Sequence, residues 1–223
     1  MTNLFGSELL KFSLKNRKNI IRLFYFWYVC ILVFLGVGIY AEATGQSASQ
    51  TFYDLGVNSG ELALLFLIVT SLPGMLRRFG FNYVWITVLM NFRRYFGISV
   101  FLLAFVHFML VRFVLTQLNS LSLFEFFGLT AFCCLVPMFL TSNDWSMHKL
   151  GVWWYRLHQL MYLILWLVFF HVMLQDMWSI WSALIGVMAF LEVVSLIVAA
   201  RKRAVSSMPL TSPNLSEQTI HRS

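Results

Sequence analysis

Residues 93–118 read Arg-Arg-Tyr-Phe-Gly-Ile-Ser-Val-Phe-Leu-Leu-Ala-Phe-Val-His-Phe-Met-Leu-Val-Arg-Phe-Val-Leu-Thr-Gln-Leu. From Tyr95 onward the only charged or imidazole side chains in this run are His107 and Arg112. A bilayer core needs about 20 apolar residues per helical crossing, and Tyr95–Leu118 meets that length. The paired arginines at its head mark one end of the crossing, and a histidine sits well inside it.

Working outward, further apolar runs occupy Ile20–Tyr40, Gly60–Leu76, Leu123–Leu140, Val152–Leu174 and Trp178–Ala200. The second of these crossings is the shortest and carries Pro73 and Gly74 near its end. Of 223 residues, 60% are apolar and 11% charged, with a mean hydropathy of +0.77. A soluble domain carries roughly 25% charged residues, so this chain cannot coat a water-exposed surface. The expectation is an all-α, polytopic bundle of about six transmembrane helices in contact with membrane lipid.

Basic residues gather at alternate ends of the runs. Lys11, Lys15, Arg17, Lys18 and Arg22 come first, then Arg77, Arg78, Arg93 and Arg94, then Lys149 and Arg156, and last Arg201, Lys202 and Arg203. The other connections hold Glu42, Asp54, Glu125 and Asp176 with almost no basic residues. The positive-inside rule then puts both termini in the cytoplasm. The net charge of +7 reports topology, not a nucleic-acid surface. Residues 1–19 are expected as a basic cytoplasmic segment with an amphipathic stretch, 20–203 as the six-helix domain, and 204–223 as a disordered tail. The Gly-, Ser- and Asn-rich stretch Ala43–Ser59 is expected as an external excursion. No Gly-rich phosphate fingerprint follows a strand pattern, so no dinucleotide-binding unit is expected. The N-terminus lacks the small-residue cleavage site of a signal peptide. Cys30, Cys133 and Cys134 lie inside the runs, without metal-binding spacing.

Ionisable groups in hydrocarbon are costly and are functional candidates by default. His107 lies on the third run, and His158 and His171 on the fifth, which crosses in the same direction. His107 stands 13 residues beyond Arg94, roughly 20 Å along a helix. His171 lies near the far end of its run and His158 near the basic end. His107 and His171 can therefore meet in the outer half, with His158 lower down. Two facing imidazoles suit a flat macrocycle between them, since histidine is an axial ligand of haem iron and bundles build cofactor sites from facing helices. Zinc would want three or four ligands. Hydrogen-bonded packing histidines are the alternative. Thirteen residues rotate a side chain about 220° past whole turns on an ideal helix, so His158 and His171 share a face only with local tightening or a bend. Arg112 suits either a propionate or the headgroup region. Arg93 suits either a lower cofactor or the basic cluster.

The segment Phe92-Arg93-Arg94-Tyr95-Phe96-Gly97 followed by Phe105-Val106-His107, with His158 and His171 thirteen apart, resembles the ferric reductase and NADPH oxidase transmembrane family. That family brackets an outer haem with one histidine pair and an inner haem with another. The resemblance implies haem b held by His107 and His171. It makes His158 a lower ligand whose histidine partner is replaced by Arg93. It extends over roughly Asn58–Arg203, including Gly60, Ala63, Leu64, Thr70-Ser71-Leu72-Pro73, Lys149-Leu150-Gly151 and Trp154-x-x-x-His158. The arginine at Arg93 and the short length resemble the family's bacterial branch of haem-binding membrane subunits serving periplasmic methionine sulfoxide reduction.

That branch implies a b-type cytochrome of the bacterial inner membrane. Its electron donor would be a cytoplasmic flavin reductase or a quinol, and its acceptor a periplasmic molybdoenzyme. A second haem at the lower level stays open, as does a bound FMN. So does a ferric-reductase-like or accessory cytochrome role. The reading from another class is a non-redox membrane assembly or transport protein.

Overall fold

The computed structural model describes residues 2–44, 49–114 and 121–206, and every regular element among them is helical. The order is α1 (Thr2–Lys15), α2 (Arg17–Ala43), α3 (Ser49–Phe79), α4 (Val84–Phe108), a π-helical segment (Met109–Val114), α5 (Leu123–Leu140), α6 (Asp144–Leu150), α7 (Val152–His158), α8 (Leu160–Gln175) and α9 (Ile180–Ser206). Six helices among the described residues are long and apolar enough to cross a membrane. They correspond one to one to the six apolar runs. The expected tail lies, from residue 207 onward, outside the described residues, as do residues 115–118 of the third run.

Helix α3 is longer than its apolar run. It begins at Ser49, eleven residues before Gly60, so much of the stretch expected as an external excursion is helical. Hydropathy reports preference for lipid, whereas helicity also draws on local bonds that polar residues supply. Gln50 Nε2 donates to Asp54 Oδ1 at 2.8 Å, an i,i+4 pair, and Ser59 Oγ donates to the Gly56 carbonyl at 2.6 Å. Pro73 sits inside α3 without ending it. Just before it, Thr70 and Ser71 turn their hydroxyls back onto the Phe66 and Leu67 carbonyls at 2.6 and 2.8 Å. Such back-bonding settles polar groups where water is absent. Beyond the end of α3, Gly80 adopts φ +105°. Lys202 Nζ donates to the Arg78 and Phe79 carbonyls at 3.2 Å, which satisfies two of the helix's last acceptors.

The fifth crossing is broken. Gln159 separates α7 from α8, and its N–H reaches the Arg156 carbonyl while the Tyr162 N–H reaches the Gln159 carbonyl. These i,i+3 bonds are 3₁₀-like and interrupt the crossing between His158 and His171. The fourth crossing, α5, starts on a capping box. Ser122 N and Oγ both donate to Glu125 Oε2, at 2.8 and 2.7 Å. Asn143 caps α6 by accepting from Ser146 N, and Gly151, at φ +50°, turns the chain into α7.

Helix α3 packs along α4 and α9, and α8 packs along α5 and α9. One apolar core gathers Leu67, Val100, Leu135, Ile164, Leu165 and Ile185 from α3, α4, α5, α8 and α9. A second joins Tyr28, Ile31 and Leu35 of α2 to Ala63, Leu103, Val106 and Leu110. Tyr28 fixes the register of α2 by donating to the Tyr95 carbonyl at 2.7 Å. Helix α1 packs on α4, where Gly6 meets Val84. Phe12 and Leu14 point away from the protein, 63% and 55% exposed.

Candidate functional site

His107, near the end of α4, and His171, near the end of α8, face each other with ring centroids 6.2 Å apart and planes at 76°. Each ring is anchored by Nδ1. That of His107 bonds the Gly56 carbonyl on α3 at 3.0 Å, and that of His171 bonds the Phe124 carbonyl on α5 at 2.8 Å. A carbonyl oxygen can only accept, so Nδ1 carries the proton in both rings and Nε2 keeps its lone pair. This is the arrangement in which a histidine serves as a metal ligand, its other nitrogen bonded to a fixed acceptor that orients the ring and raises its basicity.

The spacing can be compared with what a metal would require. Two opposed metal–imidazole bonds of about 2 Å, plus about 1.1 Å from each nitrogen to its ring centre, put centroids about 6 Å apart. The observed 6.2 Å agrees. The helices carrying the two histidines, α4 and α8, are not closely packed neighbours; each leans instead on α5 and on its own flanking helix. Beneath each imidazole lies a glycine. A Cβ on Gly60 would lie 2.7 Å from His107 Nδ1, and one on Gly128 would lie 2.7 Å from His171 Nδ1. The residues present therefore fit a metal held between two imidazoles, the residue type that ligates haem iron. Among the described residues, no group of three or more His, Cys, Asp or Glu could hold a metal ion.

The outer rim of this pair is an ionic frame. Arg112, in the π segment that follows His107, places Nη1 3.0 Å from Glu125 Oε1. The other oxygen of Glu125 closes the α5 cap on Ser122. One residue before Glu125 is Phe124, whose carbonyl holds His171. The frame thus joins the segment after one histidine to the backbone that anchors the other. Single-turn π segments recur at functional sites.

At the opposite, basic end of the bundle, His158 and Arg93 line one cavity of about 560 Å³. Its walls include Phe101, Leu135, Phe139 and Met161, and its polar lining includes Arg17, Arg94 and Asn91. His158 stacks on Trp154 at 3.9 Å and 27°, with Nδ1 3.0 Å from the Trp154 carbonyl. Trp154 is itself held by Nε1 donating to the Thr141 carbonyl at 2.9 Å. Arg94 pairs with Asp144, tying α4 to α6. The structure thus brings His107 to His171 at one level, with Arg112 beside them, and His158 to the cavity of Arg93 at another.

Several contributors were invisible to sequence reading. Gly128 and the carbonyls of Gly56 and Phe124 act through backbone, which has no residue-type signature, and Gly60 entered only as part of the family resemblance, with no role attached. The Gly56-Val-Asn-Ser-Gly60 spacing was an available hint, because small residues four apart let helices approach closely in membranes. Glu192 of α9 is 3% exposed and pairs with Arg78.

Residues 59–170 match the family described as "Ferric reductase like transmembrane component". The chain is 33% identical over 150 residues to the "Protein-methionine-sulfoxide reductase heme-binding subunit MsrQ" of Rhizobium meliloti strain 1021, over 62% of this chain and 66% of that one. It is 34% identical over 132 residues to the protein of the same name from Brucella ovis, over 56% and 58%. The chain thus spans less than two thirds of the length of these curated relatives. No solved structure matches it. With six crossings and a match over half its length, this is a multi-pass membrane protein that belongs to the ferric reductase like transmembrane component family.

Proposed function

We propose that this chain is the haem-binding membrane subunit of an oxidoreductase system and carries electrons across a bacterial inner membrane. In this reading His107 and His171 would hold one haem b. The observation that carries it is the pair of imidazoles 6.2 Å apart, both tied by Nδ1 to main-chain carbonyls and so both left with a free Nε2 lone pair. Bound there, haem supplies the one-electron chemistry. The chain contributes orientation through α3 and α5, and an apolar surround that excludes water. Arg112, held by Glu125, is the cation that would face an acidic group of the macrocycle.

The cavity of His158 and Arg93 is the entry level for electrons. Its aromatic and methionine walls suit a flat ring, and its arginines suit an acidic or phosphate group. A second haem or an FMN meets both demands. The donor is then a flavin reductase or a quinol on the basic side, which the positive-inside rule makes cytoplasmic. On the other side the acceptor is a periplasmic molybdoenzyme, as the family resemblance implies, and the relatives' names supply methionine sulfoxide reduction as its activity.

Reduced-minus-oxidised visible spectra of purified wild type, His107→Ala and His171→Ala test the reading. A b-type signal in wild type, lost in both variants, is the expected result. A wild-type protein that stays colourless after haem supplementation would sink it and favour a membrane assembly or transport role.

A further inference from the structure

We propose that Gly60 and Gly128 are positioning residues for the two ligands, each leaving open a seat into which one imidazole sinks. This rests on the reading of His107 and His171 as haem ligands. Two unrelated stretches, Gly56-Val-Asn-Ser-Gly60 on α3 and Phe124-Glu-Phe-Phe-Gly128 on α5, build the same device. A carbonyl at position i accepts from the histidine Nδ1, and position i+4 is glycine.

The geometry explains the glycine. In an α-helix the carbonyl of residue i lies beside the backbone of residue i+4. A ring bonding that carbonyl from the side must enter the space a Cβ at i+4 would occupy. Built on Gly60, a Cβ would stand 2.7, 3.0 and 3.1 Å from His107 Nδ1, Cε1 and Cγ; built on Gly128, it would stand 2.7, 2.9 and 3.2 Å from the same atoms of His171. The two seats therefore agree atom by atom to 0.1 Å. Glycine is a poor helix former, so two of them under the two candidate ligands call for a cause. Others are not seats. A Cβ on Gly36 would meet nothing within 4 Å, and one on Gly186 would crowd Phe169 at 2.8 Å without touching a histidine.

Alanine at either seat pushes the imidazole outward by about 0.8 Å to reach ordinary contact near 3.5 Å. That exceeds the roughly 0.5 Å tolerance of a preorganised ligand set. The carbonyl bond and the Nε2 position are then lost together, while the helix itself is strengthened.

The full-length protein, loaded with haem b and purified in detergent, decides the matter by electron paramagnetic resonance and visible spectra normalised to total haem. In Gly60→Ala and Gly128→Ala, the low-spin signal per haem is expected to fall at least about twofold and to recover when free imidazole is added. Gly36→Ala and Gly186→Ala are expected to match wild type. Wild-type low-spin signal in both seat variants overturns the inference, as does an equal loss in Gly186→Ala. If a seat variant does not accumulate folded, Gly60→Ala/His107→Ala removes the crowded ring. Recovery of folding supports the seat, and continued failure overturns it. Should His107→Ala and His171→Ala retain the full wild-type spectrum, the haem reading itself fails and takes the seats with it.

Discussion

Arg78 of α3 and Glu192 of α9 form an ion pair inside the bundle, with Glu192 only 3% exposed. Arg78 also donates from Nε to Ser195 Oγ at 2.9 Å and from Nη1 to Tyr162 OH at 3.2 Å, so one guanidinium ties α3, α8 and α9. Removing one partner of a buried pair strands the other charge. Arg78→Met is expected to cost about 3–5 kcal/mol in denaturant unfolding of the detergent-solubilised protein. Arg78→Met with Glu192→Leu removes both members of the pair, and is expected to cost less than either single change.

Glu125 serves the Arg112 pair and the α5 cap at once. Glu125→Ala is expected to cost about 1–2 kcal/mol, the range of a lost helix cap. Glu125→Gln keeps a cap acceptor and is expected to cost less. Because Phe124 holds His171, Glu125→Ala should also shift the haem spectrum, and Ser122→Ala should shift it in the same direction. Thermal melts and visible spectra on the same samples check both.

The two levels of the bundle are separable. His158→Ala and Arg93→Ala alter the lower cavity and leave His107 and His171 in place, so the outer haem signal is expected to survive. What should fall is the rate at which a reduced flavin or quinol analogue reduces that haem, by about tenfold or more, as is common when a positioning group is lost. Stopped-flow reduction is the measurement. Loss of the outer signal in either variant would place the haem at the wrong level.

Orientation rests on charge alone. The ends bearing Arg77, Arg78, Lys149 and Arg201 are expected on the cytoplasmic side. In a background lacking the native cysteines, Ser179→Cys is expected to react with an impermeant maleimide on intact spheroplasts. Ser206→Cys is expected to react only after lysis. The reverse pattern inverts the proposed topology.

The sequence by itself determined the number of crossings, the candidate histidines and the clustering of cations at alternate ends. Hydropathy and charge are properties of short stretches, and each apolar run became one helix or one pair of helices around a turn. It left open whether His158 and His171 share a face, because thirteen residues do not close whole turns, and the helix is interrupted between them at Gln159. Tertiary structure alone decided where α3 begins, which of the cations near Glu192 pairs with it, and that Arg112 meets Glu125. It alone revealed the two seats, since a carbonyl and a missing Cβ gain meaning only from the ring another helix brings to them. Hydropathy depends on what a residue is, whereas a ligand site depends on which backbone atoms lie within about 3 Å of its ring.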